Sequence, residues 1–225
     1  MKIFNCSPKL DKKVYIPSRK ELIPALESIS SNVVDVVLPA GELITTVATH
    51  IGQHLNVDVL HAENSRTELG SIEVNATYYS ERDQENTPSI ELVLIGNPMD
   101  HYYHWNRETF ERISYQIIDC LIHEIVHMHQ ARARSFMNII PPLHEKVAEY
   151  FGNADEIHAF SFNIADELSN CGPVDIKQWL EQPSRISLEV SPSLWTYINV
   201  FEKNVQHPKV KRLLKKVYKH YKKLN

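Results

Sequence analysis

The sequence predicts an α+β protein: a small mixed β-sheet, a central helix and a largely helical C-terminal half. Three observations carry this expectation. β-Branched and alternating apolar runs are confined to the stretch that ends at Asn97. From Arg107 onward, apolar residues recur at helical spacing instead. No internal repeat and no low-complexity linker separates the two patterns. The 225 residues therefore read as one domain, with a sheet-containing half over 1–106, central helices over 107–170 and a helical part over 171–225 that ends in a basic helix.

Taken in order, Ser18 followed by Glu21 is a capping-box pattern. It leads into Leu22, Ala25, Leu26 and Ile29 and predicts a short helix despite Pro24. "NVVDVVLP" (32–39) reads as a buried strand closed by Pro39. Gly41 to Leu55 places Ile44, Val47, Ile51 and Leu55 on one helical stripe, and "VDVLHA" follows as a second strand. "SIEVNATYYS" (71–80) alternates apolar and polar residues, "SIELVLIGN" (89–97) is more continuously apolar, and "ERDQENTP" between them reads as a loop. "HYYHWN" (101–106) is an aromatic loop that either rims a cleft or packs on the core.

The longest helix begins at Arg107. Phe110, Ile113, Ile117, Leu121, Ile125 and Met128 form its stripe, which Ile118 and Val126 widen, so it is expected to be central and well buried. Pro141-Pro142 opens another helix that ends near Gly152. A third follows with Asn153 or Asp155 at its cap, and two more are expected over about 191–204 and 208–223.

Composition is that of a water-soluble chain, 43% hydrophobic and 23% charged. No segment has the roughly 18 apolar residues a membrane helix needs, and the N-terminal stretch has no signal-peptide core, so the cytoplasm is the expected location and no membrane partner is expected. Cys6, Cys120 and Cys171 are scattered without a C-x-x-C pair and read as reduced thiols. Cys120 lies one turn before His123, and the reading is a small buried core residue rather than an extra ligand. Net charge is -4 but uneven: from Lys203 to the end there are 9 Lys/Arg and no acids.

Within the long helix, "DCLIHEIVHMHQARAR" contains His123, Glu124 and His127 in the pattern H-E-x-x-H. Multiplying this chain's own His and Glu frequencies gives about a 5% chance of a random match, so the helical context decides. Residues four apart share a helix face, so His123 and His127 can offer two imidazole nitrogens to one ion about 2 Å from each. Glu124, one residue round the cylinder, can reach a water on that ion without being a ligand. Such a division suits hydrolysis: the metal polarises a carbonyl and acidifies its water, and the carboxylate takes the proton and delivers it to the leaving amine. The cofactor this implies is Zn2+, and a catalytic zinc needs a third protein donor. The metzincin continuation is excluded, because Gln130 and Ala133 stand where it needs Gly and His. His144, Glu145, Glu149, Glu156 and His158 are the downstream candidates.

"DEIHAFSFNIADEL" resembles the second-helix segment of small phage-encoded or mobile-element zincins, where a glutamate opens an E-x-x-A-F/Y pattern after H-E-x-x-H. It resembles ImmA-type regulatory peptidases more loosely. The apolar strand just before the motif helix also matches the order of edge strand and active-site helix in zincins. The resemblance covers roughly residues 89–170 and implies a gluzincin-like zinc metallopeptidase with His123, His127 and Glu156 as ligands and Glu124 as general base. Such enzymes bind extended peptides along a sheet edge, which points to the backbone of Ile90 to Ile95; the other reading of that run is a central core strand. The chain departs from the thermolysin-like N-E-x-x-S-D pattern, so substrate preference does not carry over.

A helix and turn over 141–152 would let the Glu156 helix return antiparallel to the first. His158, about 200° from Glu156, cannot ligate the same ion from a regular helix. Asn163 and Asp166 are candidates for a bond to a zinc histidine. Tyr78, Tyr79, Tyr102, Tyr103 and Tyr150 are the tyrosines nearest in sequence that could stabilise an oxyanion. In "HPKVKRLLKKVYKHYKKLN" Val210, Leu213, Leu214, Val217 and Tyr221 form one apolar side, and docking of that side on the body is the favoured reading. The expected partner is a peptide or protein substrate. Nucleic-acid binding through the basic helix and a catalytically silent zincin acting by binding are the alternatives, and nothing in the sequence fixes the oligomeric state.

Overall fold

A computed structural model describes residues 16–55, 57–85, 87–137, 146–171, 176–185 and 188–224. Among the described residues the architecture is α+β as expected, with two small sheets and a C-terminal half of helices. The chain divides into two compact units, Ile16–Met128 and the stretch from His129 onward.

In the first unit, α1 (Arg19–Val33) starts on the capping box: the Ser18 N–H donates to Glu21 Oε2 at 2.8 Å. Its buried stripe of Leu22, Leu26 and Ile29 continues to Val33, so the helix takes the beginning of the run read as a strand. Asp35 then turns the chain with φ 58°, and only Val37–Pro39 forms β1. The expected strand over 32–39 is thus corrected, because Val33 completes the i, i+4, i+7, i+11 series of α1. α2 (Ala40–Leu55) buries Ile44, Val47 and Ile51 as read, and Leu43 beside them, and it packs against α1 and β2 (Val57–Glu63). The Leu55 side chain lies outside the described residues.

β3 (Ile72–Tyr78) alternates core-facing and exposed positions. The stretch read as a loop after it begins as a short helix, α3 (Ser80–Gln84), because Asp83 is buried under the Tyr78 hydroxyl, which donates to it at 3.0 Å. Arg82 ties α3 to Asp58 and Glu91. β4 (Ile90–Gly96) lies in the middle of a mixed sheet of order β2-β4-β3, parallel to β2 and antiparallel to β3. This overturns the expectation that Ile90 to Ile95 offer a free edge to substrate, since neighbouring strands pair along both sides of β4. Leu92 and Leu94 are fully buried.

The aromatic stretch after β4 is a strand too. β5 (Tyr102–His104) pairs antiparallel with β1 and buries Tyr103, as Trp105 is buried just after it. The Tyr103 ring closes over Gly96 so tightly that a Cβ added there would fall on the tyrosine hydroxyl. α4 (Arg107–Ala133) is the expected long helix, with Phe110, Ile113, Ile117, Ile118, Leu121, Ile122 and Val126 buried and Ile125 and Met128 half-buried.

In the second unit, α5 (Val147–Phe151) ends at Gly152; the start expected at Pro141-Pro142 lies outside the described residues. α6 (Ala154–Asn170) is capped by Asn153, whose side chain accepts from the Asp155 N–H at 2.9 Å. Asp155 in turn pairs with Arg134, and its carbonyl accepts from Gln130 Nε2 at 3.2 Å, so the start of α6 is fastened to the end of α4. α7 (Ile176–Glu181) precedes α8 (Pro192–Val200), which stops short of the expected 204 because Glu202 and Lys203 take left-handed φ of 53° and 59°. Buried Glu167 holds the N-terminus of α8 by accepting from the Ser191 and Ser193 hydroxyls.

α9 (Pro208–Leu224) closes the chain. Its Val210, Leu213 and Val217 are fully buried in a core shared with Ile157, Ile164 and Leu168 of α6, so the basic helix docks by its apolar side as read. Among the described residues, no helix is long and apolar enough to cross a membrane.

Candidate metal centre

α4 carries the motif in the middle of its buried length. His123 is buried, and Glu124 and His127 are half-buried. The Nε2 atoms of His123 and His127 stand 3.0 Å apart, with the rings edge to face. One potential ligand atom from each of His123, Glu124 and His127 falls within a span of 4.8 Å. Two nitrogens each about 2 Å from a single ion must lie roughly 3 Å apart, so this pair fits a zinc ion in spacing and in donor type. Helical spacing alone produced this convergence.

Glu124 is held by a group that side-chain patterns do not reveal. The Tyr78 backbone N–H, at the end of β3, donates to Glu124 Oε2 at 3.0 Å. Tyr79 N–H bonds Ser89 within the sheet, so alternation along β3 turns the N–H and C=O of Val74, Ala76 and Tyr78 outward. One helical turn before Glu124, the Cys120 thiol contacts the Val74 carbonyl at 3.6 Å. The outer edge of β3 therefore runs beside α4, and it is this strand, not β4, that borders the motif. Burial first, then the charges of Asp119 and Glu124, push the Cys120 thiol up to about 12. Cys120 and Cys171 are free thiols, and Cys6 lies outside the described residues.

Of the candidate third donors, His144 and Glu145 lie outside the described residues. Glu149 is exposed on α5. Glu156 sits in the first turn of α6 and is buried. His158 is buried as well, but its ring stacks on His220 of α9, with centroids 5.2 Å apart. Asn163 and Asp166 are buried on α6 together with Glu156 and Glu167, an unusually polar set for one buried helix.

Most of the tyrosine candidates are committed elsewhere. The hydroxyls of Tyr78 and Tyr79 donate to Asp83 and Glu91, and Tyr103 is buried against Gly96. Tyr102 and Tyr150 are exposed.

No protein-family model, curated protein or solved structure matches the chain.

Proposed function

We propose that the protein is a zinc-dependent peptidase of gluzincin-like type, with His123, His127 and Glu156 as metal ligands and Glu124 as general base. The observation that carries the reading is the 3.0 Å approach of the two histidine Nε2 atoms beside a carboxylate on the same buried helix. Glu156 is supported by its buried place in the first turn of α6, where it opens the E-x-x-A-F pattern.

A bound zinc ion supplies a Lewis acid that polarises the scissile carbonyl and acidifies water. Glu124 does the proton work. Its Oε2 is held by the Tyr78 N–H, which orients the carboxylate that takes a proton from the attacking water and passes it to the leaving amine nitrogen. On the outer edge of β3 the Val74 carbonyl meets Cys120 and the Tyr78 N–H meets Glu124, so the substrate main chain bonds the backbone of Ala76 between them. Such recognition reads main chain rather than side chains and suits a peptide or protein substrate of broad sequence. The free thiols of Cys120 and Cys171 suit a cytoplasmic setting.

The test is metal content by plasma mass spectrometry on the purified protein, with His123→Ala and Glu156→Ala beside it. About one zinc per chain in the wild type, lost in both variants, is the expected outcome. A wild-type protein that takes up no zinc on incubation refutes the peptidase reading. Loss in His123→Ala alone moves the third ligand from Glu156 to another donor.

A further inference from the structure

α9 has two faces, and the core uses only one. With Val210, Leu213, Val217 and Tyr221 turned into the unit, Lys211, Lys215, Lys219, Lys222 and Lys223 all fall on the opposite, exposed side. At 100° per residue they occupy an arc of about 120° along about 18 Å of helix. None of the five is in an ion pair among the described residues, whereas Lys209, at the helix start, is spent on the Gly152 carbonyl at 2.7 Å. Lys219 among them also acts on what lies beneath. Lys216 is lowered to about 8 by burial and then by Arg212 and Lys219.

We infer that this lysine face binds the phosphate backbone of duplex nucleic acid without reading its sequence. The other polyanions fit less well. An amphipathic membrane helix must bury its apolar side in lipid, and here that side fills the protein core. An acidic protein needs apolar or aromatic anchors to hold it, and the lysine face has none of its own. Single strands are gripped by stacking bases on aromatic rings, and the nearby Tyr218 ring already lies under Lys222 Nζ, 4.8 Å from its centroid. A duplex asks only for positive charge: about 18 Å of its axis carries roughly ten phosphates, and neutralising them releases condensed counterions. The five are lysines, point charges that meet phosphates rather than planar forks for base edges, so the binding is independent of sequence. The inference stands apart from the peptidase reading, because none of the five lysines belongs to the metal centre.

The experiment is fluorescence anisotropy of the full chain with a labelled duplex of about 24 base pairs, between about 50 and 200 mM salt. Wild type is expected to bind at the low end and to lose about a hundredfold to a thousandfold in affinity across that range. Changing Lys211, Lys215, Lys219 and Lys222 together to Gln should make the slope of log affinity against log salt shallower by about three to four. The same four positions changed to Arg should restore it, and Lys20→Gln with Lys146→Gln should leave it unchanged. Thermal melting of the Gln variant checks that α9 still docks; if it does not, Lys215→Gln with Lys219→Gln carries the test, with a slope shallower by about two. No binding by wild type at low salt overturns the inference, as does an unchanged slope in a folded Gln variant. Tighter binding to a single strand, or to vesicles of anionic lipid, than to the duplex overturns the choice of partner.

Discussion

Helices α4 and α9 are both long and both bury an apolar stripe, yet they treat polar side chains in opposite ways. α9 sorts them: every lysine lies outside the core or at its margin, and His220 is the one ionisable nitrogen base turned fully inward. α4 mixes them. His123 and Gln130 are buried among its aliphatic residues, Glu124 and His127 are half-buried, and Asp119 pairs with buried Arg19. Burying polar groups costs free energy unless they are satisfied, so a helix that breaks the sorting rule needs compensation from its surroundings. For Glu124 that compensation comes from the edge of β3. α9 shows what this chain does with a helix whose inner face is only structural, and α4 departs from it where the chemistry is proposed.

The sharpest way to break the contrast is Glu124→Gln. The amide oxygen can still accept from the Tyr78 N–H, so the helix and the strand edge stay together while the base is gone. Peptide hydrolysis should fall by a factor of about 10²–10⁴ with zinc retained. Full activity in this variant would mean that the buried polar cluster of α4 is not catalytic, and the difference between the helices would lose its meaning.

On α9 the equivalent change is apolar. Leu213→Ala empties a fully buried site and should cost about 2–5 kcal/mol in urea unfolding. A loss below about 1 kcal/mol would show that the helix is only loosely docked.

The third change concerns the one inward base of α9. Burial, then the charges of Lys223, Lys216 and Lys219, hold His220 down at about 4, against an ordinary 6.5, where its ring packs on His158 and Phe162. The folded state therefore keeps it neutral while the unfolded chain protonates as pH falls below about 6.5, so unfolding takes up a proton. Stability should drop between about pH 6.5 and 4, by at most about 3 kcal/mol. His220→Gln should flatten that part of the profile in denaturant melts followed against pH. An unchanged slope would place the titration elsewhere.

What the sequence makes legible follows from the range of the interactions involved. The motif and the helical stripes lie within a turn or two of one helix, as do the caps at Ser18 and Asn153, and each could be read from spacing. The strand order could not. "SIELVLIGN" is apolar enough for a central strand or a buried edge, and only the pairing with β2 and β3 decides. The run around Val33 shows a second limit, since two valines satisfy helical and strand periods equally until the preceding stripe is extended. The hold on Glu124 was out of reach for another reason: its donor is a backbone N–H, which any residue at position 78 would supply. The same holds for a third ligand, because a donor from a distant helix leaves no local spacing to read.

The closure of Tyr103 over Gly96 restricts the order in which these two positions can vary over time. A methyl group at 96 would meet the end of the tyrosine ring, which must shift to admit it. Trimming Tyr103 first would open a void beneath a residue that is only 2% exposed. A side chain at 96 therefore requires the end of the Tyr103 ring to move, and a smaller residue at 103 makes that room directly. The two positions are coupled, so a change at one alters which residues the other tolerates.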